Sequence, residues 1–248
     1  MRARESNRRP PRFALRVATR LARAGLLLCA VAALTARARA VDTTQFWPEL
    51  NLFDNLGPQT RLFLDAAYVR DREADGRSLE LAGYLDVTLE PFLRRSLRKE
   101  DWQKNKYLWL RLGYDHLFKT EGGEKQTGED RVILSAYPRA NLPEEVVLEG
   151  RLRADLRWIG GDYSTRYRLR LEVNREFTVH GYAFTPYLQA EVFYDTRYDG
   201  WSRDYFQLGA EFPLTEHFRL EPYLALQLDR LPRESSLGAV GLVAKWYY

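Results

Sequence analysis

The last thirteen residues constrain this chain most. Ser236 to Tyr248 reads S-L-G-A-V-G-L-V-A-K-W-Y-Y. Every second residue back from the end, Tyr248, Trp246, Ala244, Leu242, Val240 and Gly238, makes one apolar face. The other face holds Tyr247, Lys245, Val243, Gly241 and Ala239, and with them the only charge. Period-two alternation describes a strand with two unlike surroundings. Such a strand needs partners on both edges, so the rest of the chain should supply further strands of one closed sheet.

The same alternation recurs ten times upstream. In Phe46–Phe53, Phe46, Pro48, Leu50 and Leu52 oppose Trp47, Glu49 and Asn51. Arg61–Tyr68 sets Leu62, Leu64, Ala66 and Tyr68 against Arg61, Phe63, Asp65 and Ala67. Leu79–Leu89 and Tyr107–Asp115 follow, and then Arg131–Arg139, the least regular. Val146–Ile159 and Thr165–Phe177 turn leucines one way and arginines the other. Tyr182–Asp195, Tyr205–Leu214 and Phe218–Asp229 complete the series. The expected fold is all-β, a single antiparallel transmembrane β-barrel of ten to twelve strands over residues 41–248.

Residues 1–40 read as a secretory signal peptide. Arg2–Arg23 is an arginine-rich start, Ala24–Leu34 a short apolar core, and Ala38-Arg39-Ala40 a cleavage site. Cleavage after Ala40 removes Cys29, the single cysteine, so the remainder owes nothing to disulfides. It also removes ten arginines and one glutamate from totals of 38 basic and 34 acidic residues. That leaves 28 against 33, a net charge of −5 in place of +4. A nucleic-acid partner thereby loses its electrostatic support. No later stretch approaches the roughly 20 apolar residues of a membrane helix.

A soluble barrel alternates too, with inside and outside exchanged. Three features favour the membrane form. Many segments reach the roughly ten residues that cross a bilayer when tilted. Tight turns (Asn141–Glu145, Thr178–Gly181, Thr215–His217) alternate with longer polar connections (Arg70–Arg77, Lys119–Asp130, Thr196–Arg203). Aromatics gather near segment ends, at Tyr114, Trp158, Tyr194, Phe206, Phe212, Phe218, Trp246 and Tyr248. The final strand, ending on Trp246 and Tyr248, resembles the assembly signal of bacterial outer-membrane barrels. Bacterial single-chain barrels have even strand numbers, so eleven segments point to a twelfth hidden in Pro91–Lys106, and twelve is the favoured count.

The phrase F-W-P-E-L at 46–50 carries a family resemblance, together with R-x-R-x-D-L-R-W (151–158), S-x-R-Y-R-x-R-L (164–171), P-Y-x-x-E-x-F-Y-D (186–195) and L-E-P-Y (220–223). The chain resembles domain-of-unknown-function family 2490, a set of proteobacterial outer-membrane barrels. The resemblance implies a barrel in the outer membrane and no assigned reaction. Expected partners are outer-membrane lipids, lipopolysaccharide and the barrel-assembly machinery. The barrel is expected to be a monomer, with no cofactor, no metal and no catalytic residue.

The inward faces hold the one arrangement that suggests a mechanism. Arg151, Arg153, Arg157, Arg166, Arg168 and Arg170 stand on two neighbouring segments. Glu191, Glu221, Tyr223 and Lys245 are further candidates for lining the lumen. An arginine wall facing carboxylates across a pore would draw small anionic or sugar-acid solutes. The competing reading is a closed structural or interaction barrel, its lumen filled by its own ion pairs. A third is a lipid hydrolase using His116 and Ser164. The acidic stretches Asp71–Asp75 and Glu121–Asp130 read as solvated loops, and Arg94–Lys99 as an interfacial anchor.

Overall fold

The computed structural model describes residues 41, 43–70, 77–89, 107–121, 124–125 and 128–248. Thirteen strands follow in order: β1 (Thr43–Asp54), β2 (Thr60–Arg70), β3 (Arg77–Leu89), β4 (Leu108–Glu121), β5 (Glu124–Lys125), β6 (Glu129–Asn141), β7 (Val146–Ile159), β8 (Asp162–Arg175), β9 (Phe177–Val179), β10 (Tyr182–Asp195), β11 (Gly200–Pro213), β12 (Phe218–Asp229) and β13 (Ser235–Tyr247). β5 only extends the hairpin at the end of β4. β9 carries β8 onward along β10. The other eleven form a closed wall.

Each wall strand pairs antiparallel with its sequence neighbour, and β1 closes the ring on β13 in parallel, from Thr43 opposite Leu237 to Phe53 opposite Tyr247. The strand count lies within the expected ten to twelve. The parity argument for a twelfth is met by a different device. Eleven up-and-down strands leave the first and last pointing the same way, so only a parallel seam can close them. Pro91–Lys106 lies outside the described residues. The strands on either side of it pair directly, Arg77–Leu89 against Leu108–Thr120, with no strand between them.

The connections correct the expected contrast between the two ends. β4 and β11 run further than expected, so Lys119–Glu121 and Gly200–Arg203 are strand rather than loop. Two-residue turns occur at both ends. Gly160 and Gly161 link β7 to β8 with φ of 62° and 94°, and His180 and Gly181 link β9 to β10 with φ of 51° and 82°. Positive φ at both positions gives the turn twist that matches paired strands. The longest connection, between Leu89 and Leu108, leaves from the end that also holds Tyr247.

The faces follow the sequence pattern. Outward positions carry a band of exposed leucines, among them Leu50, Leu64, Leu112, Leu152, Leu169, Leu208 and Leu224. Exposed aromatics flank it. Tyr114, Phe118, Trp158, Tyr163, Tyr167 and Trp201 stand towards the β7–β8 turn, and Phe177, Tyr182, Phe212, Trp246 and Tyr248 towards the other end. Phe206 does not belong to either rim: β11 begins at Gly200, which leaves it at mid-strand. Inward positions are mostly charged, amide or aromatic, with Ala82, Ile133, Ala239 and Val243 among them, and Asp86, Asp115, Asp155 and Asp195 are almost wholly buried.

Candidate functional site

The barrel interior encloses a cavity of about 1440 Å³. Arg77 and Lys119 line it near one end, and Phe53, Pro213 and Arg219 near the other. Arg151, Arg153, Arg166, Arg168, Arg170, Glu191, Glu221, Tyr223 and Lys245 all line it. Arg157 does not. It is buried against the wall, donating to Asp195 at 2.5 Å and to Glu129.

Strand register explains the arginine wall. Arg151 stands opposite Arg170, and Arg153 opposite Arg168, on β7 and β8. Like charges directly opposite repel, so carboxylates one strand or one step away must intervene. Glu191 on β10 accepts from Arg151 at 2.6 Å and from Arg168 at 3.0 and 2.9 Å. Glu149 accepts from Arg170 at 3.0 Å and from Arg139. Asp155 pairs with Arg153, and Asp195 also accepts from Arg166 at 3.1 Å. The expectation that carboxylates face the arginines across a pore is therefore corrected for Glu191, which Asp195 joins. They stand beside the arginines on the adjoining strand, and each of the six guanidiniums has a carboxylate partner. Pairing consumes part of their donor capacity only: Arg151 Nε, Arg153 Nη2 and Arg170 Nε are buried with no acceptor.

Glu221 and Lys245 lie on the facing wall. Lys245 bridges Glu211, at 2.7 Å, and Glu221, which also accepts from the Tyr187 hydroxyl at 2.5 Å. Tyr223 lies over Gly241 and Gly209, where any Cβ would collide with its ring or that of Tyr187. Gly241 of the last strand and Gly209 of β11 thus seat lumenal tyrosines.

A second structure was not foreseen as a unit. The rings of Tyr247, Phe53, Phe63 and Tyr84 stack in succession across β13, β1, β2 and β3, with centroids 4.7, 4.6 and 5.0 Å apart. Trp109 and Tyr137 stack at 3.5 Å on β4 and β6. Arg61 and Arg111 lie against these rings, and both donate to Asp86. Asp86 is the cross-strand neighbour of both arginines. Alternation had already put these side chains inside, Tyr137 of the least regular segment excepted; their contact depends on register, which a single strand does not reveal.

His116 and Ser164 do not meet. His116 is on the outward face of β4, where its Nδ1 lies 2.6 Å from Asp130 and its ring packs edge-on against Phe118. Ser164 is buried on the inward face of β8. A nucleophile and base must reach hydrogen-bonding distance, and the wall separates these two. Among the described residues no group of three His, Cys, Asp or Glu side chains could hold a metal ion. Asp71–Asp75 and Arg94–Lys99 lie outside the described residues.

A family profile described as protein of unknown function (DUF2490) matches residues 44–234. No curated protein matches the chain.

Proposed function

The chain belongs to the DUF2490 family of proteins of unknown function, and we propose that it is an outer-membrane β-barrel providing a narrow passage for small polar solutes. The membrane reading is supported by the inversion of a soluble barrel: leucines outside between two aromatic rims, and charges inside. Under this reading the first 40 residues direct export and are removed after Ala40. Trp246 and Tyr248 serve the assembly machinery, and the aromatic rims meet lipid and lipopolysaccharide. The barrel acts as a monomer and needs no cofactor.

The passage reading rests on one observation, a cavity of about 1440 Å³ lined by residues from near both ends of the barrel. The arginine wall tempers the solute class. Its charges are matched by neighbouring carboxylates, so anionic or sugar-acid solutes are held by the leftover donors of Arg151, Arg153 and Arg170 rather than by a strong net field. Anion preference is accordingly weak. A second reading, a closed structural or interaction barrel, is favoured by the stacked rings and the Arg61–Asp86–Arg111 group, which fill one part of the lumen.

Conductance separates the two. The full chain, exported by a bacterial host and purified in detergent, should give discrete steps in a planar bilayer, with a small reversal potential of anionic sign under a salt gradient. Arg168→Ser with Arg170→Ser should move that potential towards cations, because Glu149 and Glu191 each lose a partner. Silence from a barrel that migrates as folded would establish the closed reading. Unchanged selectivity in an open channel would remove the arginine wall from the account.

A further inference from the structure

Across the lumen from the arginine wall, the fold leaves acceptors without donors. β1 and β2 lie about half a turn of the ring from β7 and β8. Glu49 and Asn51 face inward on β1, and Asp65 stands directly opposite Asn51 on β2. All three line the cavity. Asn51 is only 6% exposed, yet its Oδ1 has no hydrogen-bond partner, and Oδ1 of Asp65 is likewise buried without one. The Asn51 amide nitrogen donates to Glu49 at 2.8 Å, which fixes the orientation of the amide and turns its oxygen away from Glu49. Neither Glu49 nor Asp65 forms a salt bridge among the described residues, whereas the other inward carboxylates Glu80, Asp86, Asp115, Glu149 and Glu191 all do.

Buried acceptors left without a donor are costly, and two adjacent ones on paired strands mark a place where donors arrive from outside the chain. Trp47 stands two residues before Glu49 on the same face and stacks on Tyr205 at 6.4 Å, so an aromatic face precedes Glu49 along the lumenal side of β1. Carboxylate, amide oxygen and aromatic face together suit an ammonium group, which brings several N–H donors and a positive charge. The three side chains offer at most five oxygens, fewer than the six to eight that calcium takes.

We propose that Glu49, Asn51 and Asp65 form a lumenal subsite for a protonated primary amine carried on a small polar solute. The site needs only that the lumen admit water. It stands or falls separately from conduction, because binding is read on the folded barrel whether or not it passes current.

Calorimetric titration of the purified full-length protein in detergent tests it, with methylammonium, tetramethylammonium and calcium chlorides as probes. Methylammonium should bind saturably near neutral pH. Tetramethylammonium, which has the charge but no N–H donor, should bind at least tenfold more weakly. Asp65→Asn should weaken methylammonium binding at least tenfold, and Glu49→Gln should weaken it less, because Glu49 already holds the Asn51 amide. Equal binding of both ammonium ions, unchanged binding in both variants, or binding of calcium alone would overturn the assignment. If Asp65→Asn fails to fold, the comparison of the two ammonium ions on the native chain still decides.

Discussion

The two sides of the lumen solve the same problem in opposite ways. On β6 to β10 the inward positions carry guanidiniums, and the register sets like charges opposite one another at Arg151 and Arg170 and at Arg153 and Arg168. Glu149, Asp155, Glu191 and Asp195 interleave with them and offset the repulsion across that paired sheet. On β13 to β3 the inward positions near one end carry Tyr247, Phe53, Phe63 and Tyr84, which stack without needing partners of opposite charge. The lesson is one of tolerance. An ion-pair ladder fails wherever one member is missing, while a stack of rings loses only the contacts of the ring removed.

Glu191→Gln should break the comparison most sharply. The change leaves the largely buried Arg151 with a neutral partner and takes from Arg168 its nearest carboxylate, leaving it Asp155 at 3.8 Å. Removing one member of a buried pair costs about 3–5 kcal/mol. Denaturant titration of the detergent-solubilised barrel, followed by heat-modifiable migration on gels, measures it. A loss comparable with that of a surface substitution would mean that the network is not what holds this side of the wall.

Gly241→Ala comes next. The new methyl group would occupy space filled by the Tyr223 ring, and overpacking of this kind costs about 1–3 kcal/mol. Tyrosine fluorescence should report the displaced ring alongside the lost stability. On the stacked side, Phe63→Leu should be the mildest of the three. It keeps most of the apolar bulk and forfeits ring stacking worth about 0.5–1.5 kcal/mol. If Phe63→Leu proves as damaging as Glu191→Gln, the two sides do not differ in the way their contacts suggest.

The faces of the wall strands other than β6, whose Arg131–Arg139 alternates least regularly, were legible in the chain. Glu49, Asn51, Asp65, Arg151 and Arg168 all point inward as their alternation requires, because successive side chains of a strand leave on opposite sides whatever the neighbours are. Strand ends were less legible. β4 continues to Glu121 and β11 starts at Gly200 because pairing with β3, β5 and β10 extends them through polar residues that resemble loop. The partners of each charge were not legible at all. Glu191 reads as a carboxylate facing the arginines until the register of β10 on β8 sets it beside them.

Local alternation thus determined the all-β class, the apolar exterior and the charged interior, since these depend on one strand at a time. Closure and pairing belong to the tertiary structure alone. An even number of strands could close antiparallel throughout. Eleven cannot, and only the folded ring shows that β1 meets β13 in parallel. The same ring brings Asn51 beside Asp65 and Glu191 between two arginines, because register relates residues whose separation in the chain carries no local signal.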